Sequence, residues 1–107
     1  MFTEEIAREL VTAEIARAAA RSSHAPTELG IIRVQPVSFG WIFYWGKVGL
    51  PPGERPRLGG NGPFMVDREN ERLIRTSTSV KPARHIADYE RRLRREAHAR
   101  NTAAKRA

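Results

Sequence analysis

Hydrophobic positions recur with two different periods along this chain. Near both ends they return every three or four residues, which is the spacing of one helix face. The N-terminal pattern predicts a helix over residues 3–21, with Thr3 as its N-cap and Pro26 beyond its end. Ile6 and Leu10 are expected to lie on its buried face. The period therefore predicts an amphipathic helix that packs on a core.

The C-terminal pattern predicts a second helix that begins near Pro82, a favourable first-turn position. Its apolar stripe is narrow, and arginines fill the remaining faces. The stripe consists of Ile86, Tyr89, Leu93 and Ala97. Residues 97–107 are polar and basic, so we expect a frayed tail there, after a single domain over residues 1–96.

The middle of the chain has a period of two instead. Residues 39–45 read FGWIFYW and contain five of the chain's eight aromatic residues. Alternate side chains of a strand point to opposite sides, and both sides are apolar here, which predicts a central strand. One side is expected to lie under the helices and the other under loops or a partner. Residues 30–37 predict an edge strand, because Pro36 has no N–H for a ladder.

Glycine and proline predict the turns. Residues 47–62 hold five of the chain's eight glycines and predict a long loop. Residues 64–66 and 73–74 flank a polar segment centred near Asn70, which predicts a hairpin. Together these elements predict an α+β domain of two layers, an antiparallel sheet of three to four strands with the N- and C-terminal helices on one face. The side chains expected in its core are Ile6, Leu10, Trp41, Phe43, Val66, Ile86, Tyr89 and Leu93.

Composition argues against several classes of protein. No apolar run approaches the ~20 residues that cross a bilayer. The absence of cysteine removes disulfides and agrees with a cytoplasmic location. Three histidines lack zinc spacing, the glycines at 59–62 lack the Lys-Ser/Thr pair of a phosphate loop, and no nucleophile motif is present. We therefore expect no catalysis, cofactor or metal; Asp67 and Glu69 could hold a hard cation, but an exposed hairpin explains them equally well.

The positive charge is concentrated at the C-terminal end. Residues 81–107 contain nine Lys or Arg and three Asp or Glu, which accounts for +6 of the net charge of +7. Such a segment is either a solvated helix face with a basic tail or a contact surface for nucleic acid. The candidates for phosphate contact are Arg91, Arg92, Arg94, Arg95 and Arg100.

The aromatic strand also has two interpretations. Aromatic residues on a sheet face stack the bases of single-stranded nucleic acids in some proteins. The neighbouring strands supply few basic residues, which favours core packing of Phe39, Trp41 and Phe43. Tyr44 and Trp45 lie nearest the loop and are expected to be partly exposed.

Two motifs give the chain a resemblance to a known family. The aromatic strand at residues 39–44 is followed by GGNGPFMVD at 59–67, by Thr76 or Thr78, and by IADYE at 86–90. This order resembles the immunity protein 35 family, also called the YrhB domain, over residues 3–93. Members are small bacterial cytoplasmic α+β domains, so the resemblance implies a non-enzymatic immunity protein that binds and neutralises a cognate toxin. One branch of the family is described as chaperone-like.

The chain departs from the family pattern at two places. Asn70-Glu71 stands where the family usually has Asp-Gly, and the arginine-rich segment after Leu93 lies outside the pattern. We expect the surface that contacts a toxin to combine the strand's exposed aromatic residues with the adjoining loop, because aromatic residues beside an adaptable loop favour binding hot spots. The predicted contact residues are Tyr44, Trp45, Leu50, Arg57 and Asn61.

Overall fold

The computed structural model describes residues 1–21, 29–54 and 62–106. Its elements are helix α1 (Glu4–Arg21), strands β1 (Leu29–Val37), β2 (Gly40–Lys47), β3 (Phe64–Asp67) and β4 (Arg72–Arg75), and helix α2 (Pro82–Arg106). The strands form one antiparallel sheet in the order β1-β2-β3-β4. The predicted α+β class and antiparallel sheet are confirmed. Neither of these two helices is long and apolar enough to span a membrane.

The two helices pack on opposite faces of the sheet. α1 covers the face that carries Trp41 and Phe43. α2 covers the face that carries Ile42 and Met65, against which Tyr89 packs. The prediction that both helices share one face in a two-layer arrangement is therefore wrong, and the protein has three layers. The physical reason is that β2 is apolar on both sides, so each side needs its own cover.

The buried face of α1 is built from small and β-branched side chains. Ile6 is 41% exposed and Leu10 is 36% exposed, so the prediction that they are buried is wrong. The buried face lies one position further along the helix, because small side chains let the helix lie close to the bulky aromatic face of β2. The predicted N-cap is confirmed, since the Thr3 hydroxyl oxygen accepts the N–H of Ile6 at 3.2 Å. The buried positions are Ala7, Val11, Ile15 and Ala19.

The rest of the predicted core lies close to expectation. Trp41, Phe43 and Val66 are buried under α1. On the opposite face, Tyr89 is buried, with Ile86 and Leu93 partly buried beside it.

Two glycines from the sequence motifs lie where no side chain fits. A Cβ at Gly40 would lie 2.0 Å from the carbonyl oxygen of Val66, and a Cβ at Gly62 would lie 2.0 Å from that of Thr76. Both distances are far inside van der Waals contact, so only glycine lets these backbone segments approach. Gly40 and Gly62 therefore meet a packing requirement of the sheet.

The turn between β3 and β4 is held by the side chain that precedes it. Asp67 Oδ1 accepts the backbone N–H groups of Glu69 and Asn70, each at 3.0 Å. This is the side-chain capping expected of an aspartate that begins a turn. Glu71 ends the turn with φ at 55°, a conformation in which glycine is preferred.

Replacing Glu71 by glycine is expected to raise the free energy of unfolding by about 0.5–1 kcal/mol. The left-handed conformation costs a residue with a Cβ ~1–2 kcal/mol, and the greater unfolded-state entropy of glycine offsets part of the gain. Glu69→Gly is the matched control in the same turn, because Glu69 has no positive φ, and it should lower stability. Urea denaturation of both variants checks this, and a destabilised Glu71→Gly would contradict it.

Helix α2 begins at Pro82, as predicted, and continues to Arg106. The segment 97–106 is thus helical, and the prediction of a frayed tail is wrong for these residues. At 1.5 Å per residue the helix is about 37 Å long. The molecule is elongated and measures 59 × 24 × 23 Å.

Candidate functional site

Buried polar groups meet where the hairpin of β3 and β4 contacts α2. Asp67 is 1% exposed. Its Oδ2 atom accepts the Tyr89 hydroxyl at 2.5 Å and the side-chain amide of Asn70 at 2.8 Å. Together with the two backbone N–H groups of the turn, the carboxylate receives four hydrogen bonds. This buried charge is therefore fully satisfied within the fold.

The surroundings of Asp67 and Tyr89 favour an ionised aspartate and a neutral tyrosine. Burial raises the pKa of Asp67, but the hydrogen bonds from Tyr89, Asn70 and Glu69 outweigh it and hold the pKa below the usual 3.8. Burial, followed by the hydrogen bond to Asp67, raises the pKa of Tyr89 to about 12. At neutral pH the phenol donates and the carboxylate accepts.

Arg72 on β4 and Glu96 on α2 form a second contact between the hairpin and the helix. The Arg72 guanidinium donates two hydrogen bonds to Glu96, at 2.9 and 3.0 Å, and a longer one of 3.4 Å to the Tyr89 oxygen. The hydrogen bonds with Arg72 lower the pKa of Glu96 and raise that of Arg72. Arg92 lies over the Tyr89 ring at 5.6 Å. We call Asp67, Tyr89, Arg72 and Glu96 the hairpin–helix clamp.

The clamp positions α2, and its polar groups already have partners. Asp67 sits at the end of β3, and Tyr89 reaches it from the helix because Phe39 supports the ring edge-to-face at 4.6 Å between centroids. Ser38 adds a hydrogen bond of 2.5 Å to Glu90. These contacts join the turn between β1 and β2, the end of β3 and the start of β4 to one side of α2. The chemistry of the clamp is therefore structural support.

A cleft of about 290 Å³ lies beside the clamp, between the two turns and α2. Its walls include Ser38, Asp67 and Arg100, with Leu93 as an apolar wall. A shallower cleft of about 230 Å³ lies on the other side of Tyr89 and includes His85 and Arg95 among its lining residues. In the first cleft, the Asp67 carboxylate is already paired with Tyr89 and the Ser38 hydroxyl with Glu90.

The structure separates the residues predicted to contact a toxin. Tyr44 is partly exposed, as predicted, whereas Trp45 is 8% exposed and its predicted exposure is wrong. The Trp45 indole N–H donates to the Gly62 carbonyl at 2.9 Å, and its ring stacks on Phe64. Neighbouring strand residues point to opposite faces, so Tyr44 and Trp45 cannot share one surface. Leu50 is half-buried, while Arg57 and Asn61 lie outside the described residues.

Tyr44 belongs to a small cluster on the α2 side of the sheet. Its hydroxyl donates to the side-chain oxygen of Gln35 at 3.0 Å. Arg33 donates to the same oxygen at 3.3 Å, and its guanidinium lies 4.9 Å from the centre of the Tyr44 ring. Arg33 is exposed, and the other two are partly exposed. We call these three side chains the Tyr44 patch.

Sequence reasoning missed both the Tyr44 patch and the clamp. Arg33 and Gln35 stand two positions apart on a strand, which places them on one face, and this signal could have identified the patch. For the clamp, an aspartate that ends an apolar strand and precedes Asn70 indicates a side-chain-capped turn. Its pairing with Tyr89 is a tertiary contact that spacing does not reveal.

The arginines of α2 fall into two groups. Arg92 and Arg100 lie on the sheet side, one over Tyr89 and the other in the cleft. Arg91 and Arg94 are exposed on the remaining surface of the helix, and Arg95 is exposed at the rim of the shallower cleft beside Tyr89. The five predicted phosphate contacts therefore do not form one surface.

In the part of the chain that the structure describes, no three His, Asp or Glu side chains are grouped as metal ligands. Comparison with protein-family models, curated proteins and solved structures finds no match to this chain.

Proposed function

We propose that this protein is a non-enzymatic immunity protein that binds and neutralises a cognate toxin. The resemblance of residues 39–44, 59–67 and 86–90 to the immunity protein 35 family motivates the proposal. The observation that carries it is the Tyr44 patch, an aromatic and cationic cluster joined by hydrogen bonds on the surface of the sheet. A cytoplasmic location would follow from this role.

The Tyr44 patch has the chemistry of a binding hot spot. Tyrosine and arginine are the residue types that, with tryptophan, most often carry the affinity of protein interfaces. Tyr44 and Arg33 share one acceptor on Gln35, which restricts their rotamers before a partner arrives. Less side-chain entropy is then lost on binding.

Steric occlusion is the mode of action that fits these side chains. The buried Asp67 carboxylate and Tyr89 hydroxyl hydrogen-bond to each other and support the fold. The exposed aromatic surface of the patch offers contact area, and contact alone is sufficient to block the active site of a toxin. The partner is thus a protein surface complementary to a tyrosine ring and a guanidinium.

A toxin-rescue assay tests this proposal. Co-expression of the wild-type protein with the toxic product of the neighbouring gene should restore growth. The double variant Arg33→Ala/Tyr44→Ala should weaken the complex by roughly 30-fold or more, since a hot spot contributes about 2 kcal/mol or more. Isothermal titration calorimetry on the purified pair measures the loss.

The matched control is Arg8→Ala/Leu10→Ala, which removes an exposed arginine and an exposed apolar side chain from α1. It should leave affinity and rescue intact. Full rescue by the patch variant would show that the partner binds elsewhere. Absence of both complex and rescue with the wild type would refute the immunity role and favour a chaperone-like one.

A further inference from the structure

The outward surface of α2 carries a row of cations with few anions to balance them. Residues 91–106 contain seven Lys or Arg and one acidic residue, Glu96. Glu96 is bound by Arg72 on the sheet side. With 3.6 residues per turn, the side of the helix opposite Tyr89 and Leu93 presents a second set of residues. This outer face consists of Arg91, Arg94, Arg95, His98 and Lys105, all exposed, with Arg95 also at the rim of the shallower cleft.

Most of these cations have no carboxylate to neutralise them. Arg91 forms an ion pair with Asp88, an exposed contact of small free energy. Arg94, Arg95 and Lys105 form no ion pair with any of the described residues. The helix therefore holds at least three cations at positions that its own geometry fixes around its outer surface.

The outer face lacks the features of a protein-binding surface. It has no aromatic or large aliphatic side chain that could fill a pocket of a partner, and such anchors dominate protein interfaces. A polyanion needs no apolar anchor, because release of its counterions drives the association. Charge complementarity thus favours nucleic acid as the occupant.

The shape of α2 selects the form of nucleic acid. The helix contacts the hairpin as far as Glu96 and Arg100, and Ala103, Ala104 and Lys105 beyond them are exposed. An α-helix about 10–12 Å across fits the major groove of B-form DNA, about 12 Å wide, whereas the major groove of an RNA duplex is too narrow. We propose that the outer face of α2 binds duplex DNA, with its cations on the phosphates that border the major groove.

Fluorescence anisotropy with a labelled 20-base-pair DNA duplex tests the proposal on the full chain. Three phosphate contacts predict that log K falls with log salt with a slope of about −2.7, so affinity drops about 40-fold between 50 and 200 mM salt. The variant Arg94→Gln/Arg95→Gln should reduce the slope to about −0.9. An RNA duplex of the same sequence should bind more weakly than DNA.

The matched control is Arg8→Gln/Arg21→Gln, which removes the same charge from exposed positions on α1. It should keep the wild-type slope. Point variants are preferable to truncation after Leu93, because truncation removes Glu96 and with it part of the hairpin–helix clamp. Thermal melts by circular dichroism verify that each variant is folded.

Three results would overturn the proposal: no binding to DNA at 50 mM salt, equal losses in the two double variants, or equal affinity for the RNA duplex. The result of the DNA-binding measurement does not depend on the result of the toxin-rescue assay. Arg94→Gln/Arg95→Gln should rescue growth as well as the wild type, because neither residue belongs to the Tyr44 patch.

Discussion

Replacing Trp41 by alanine is expected to lower the free energy of unfolding by about 3–5 kcal/mol. The indole is 7% exposed and belongs to the core cluster under α1. It is paired across the sheet with Val66 on one side and Pro36 on the other. Arg68 lies over the ring, with the guanidinium 4.8 Å from the ring centre. Truncation would therefore leave a cavity at the point where three strands meet α1.

Thermal denaturation measures this loss. With about 4 °C of melting temperature per kcal/mol for a domain of this size, the midpoint should fall by more than about 12 °C. Tyr44→Ala is the control on the same strand, because Tyr44 points to the opposite face and is partly exposed. Its effect should be clearly smaller. A melting curve of Trp41→Ala that matches the wild type would contradict the core that we describe.

The sheet could be predicted from local pattern alone. In residues 39–45 the aromatic side chains alternate between two apolar faces, and only a central strand accommodates this. The hairpin follows from the polar turn between two short apolar runs. Both predictions depend on neighbouring residues, and both are confirmed.

The placement of the helices could not be predicted in the same way. On α1, the helical period predicts a buried face that contains Ile6 and Leu10, whereas the structure buries the face that contains Val11 and Ile15. The bulky aromatic face of β2 accepts the smaller side chains around Ala7 at the contact. Which face of α1 is buried depends on the shape of the sheet surface that it packs against, and the helical period alone does not predict that shape.

In the candidate sites, too, local sequence predicts some features, while others depend on contacts between distant parts of the chain. Partial exposure of Tyr44 follows from its position on β2 beside the loop. The burial of Trp45 depends on a carbonyl of Gly62, seventeen positions away. The pairing of Asp67 with Tyr89 likewise joins a turn to a distant helix. Such contacts arise only once the sheet and α2 have been assembled.

Replacing Asp67 by asparagine is expected to lower the free energy of unfolding by about 2–3 kcal/mol, since hydrogen bonds to a charged group contribute about 1.5–3 kcal/mol. Asparagine has the same shape but only one accepting oxygen, so it cannot accept the two backbone N–H groups of the turn as well as the Tyr89 hydroxyl and the Asn70 amide. The hairpin would then lose its main connection to α2. Urea denaturation at pH 7 measures the difference from the wild type.

The pH dependence identifies the charge as the cause. The pKa of Asp67 is lowered in the folded protein, so its carboxylate contributes full stability above about pH 4 and loses that contribution as the pH falls through the folded value. Asparagine does not titrate. The gap in unfolding free energy between wild type and Asp67→Asn should therefore be constant from pH 5 to 8 and narrow below about pH 4. Other acids with lowered pKa values, Glu14 and Glu96, are present in both proteins and cancel in the comparison.

Tyr89→Phe tests the other half of the pair at high pH. The pKa of Tyr89 is raised to about 12, so the folded protein keeps the phenol neutral while the unfolded chain ionises near pH 10. The sign is opposite to that of Asp67: the contribution of Tyr89 is complete below pH 10 and is lost as the pH rises towards 12. The wild type should lose stability over this interval relative to Tyr89→Phe, which has no proton to release. If the two proteins keep a constant difference from pH 9 to 11, or if the Asp67→Asn gap persists unchanged at pH 2.5, then the hydrogen bond between Asp67 and Tyr89 does not connect the hairpin to α2.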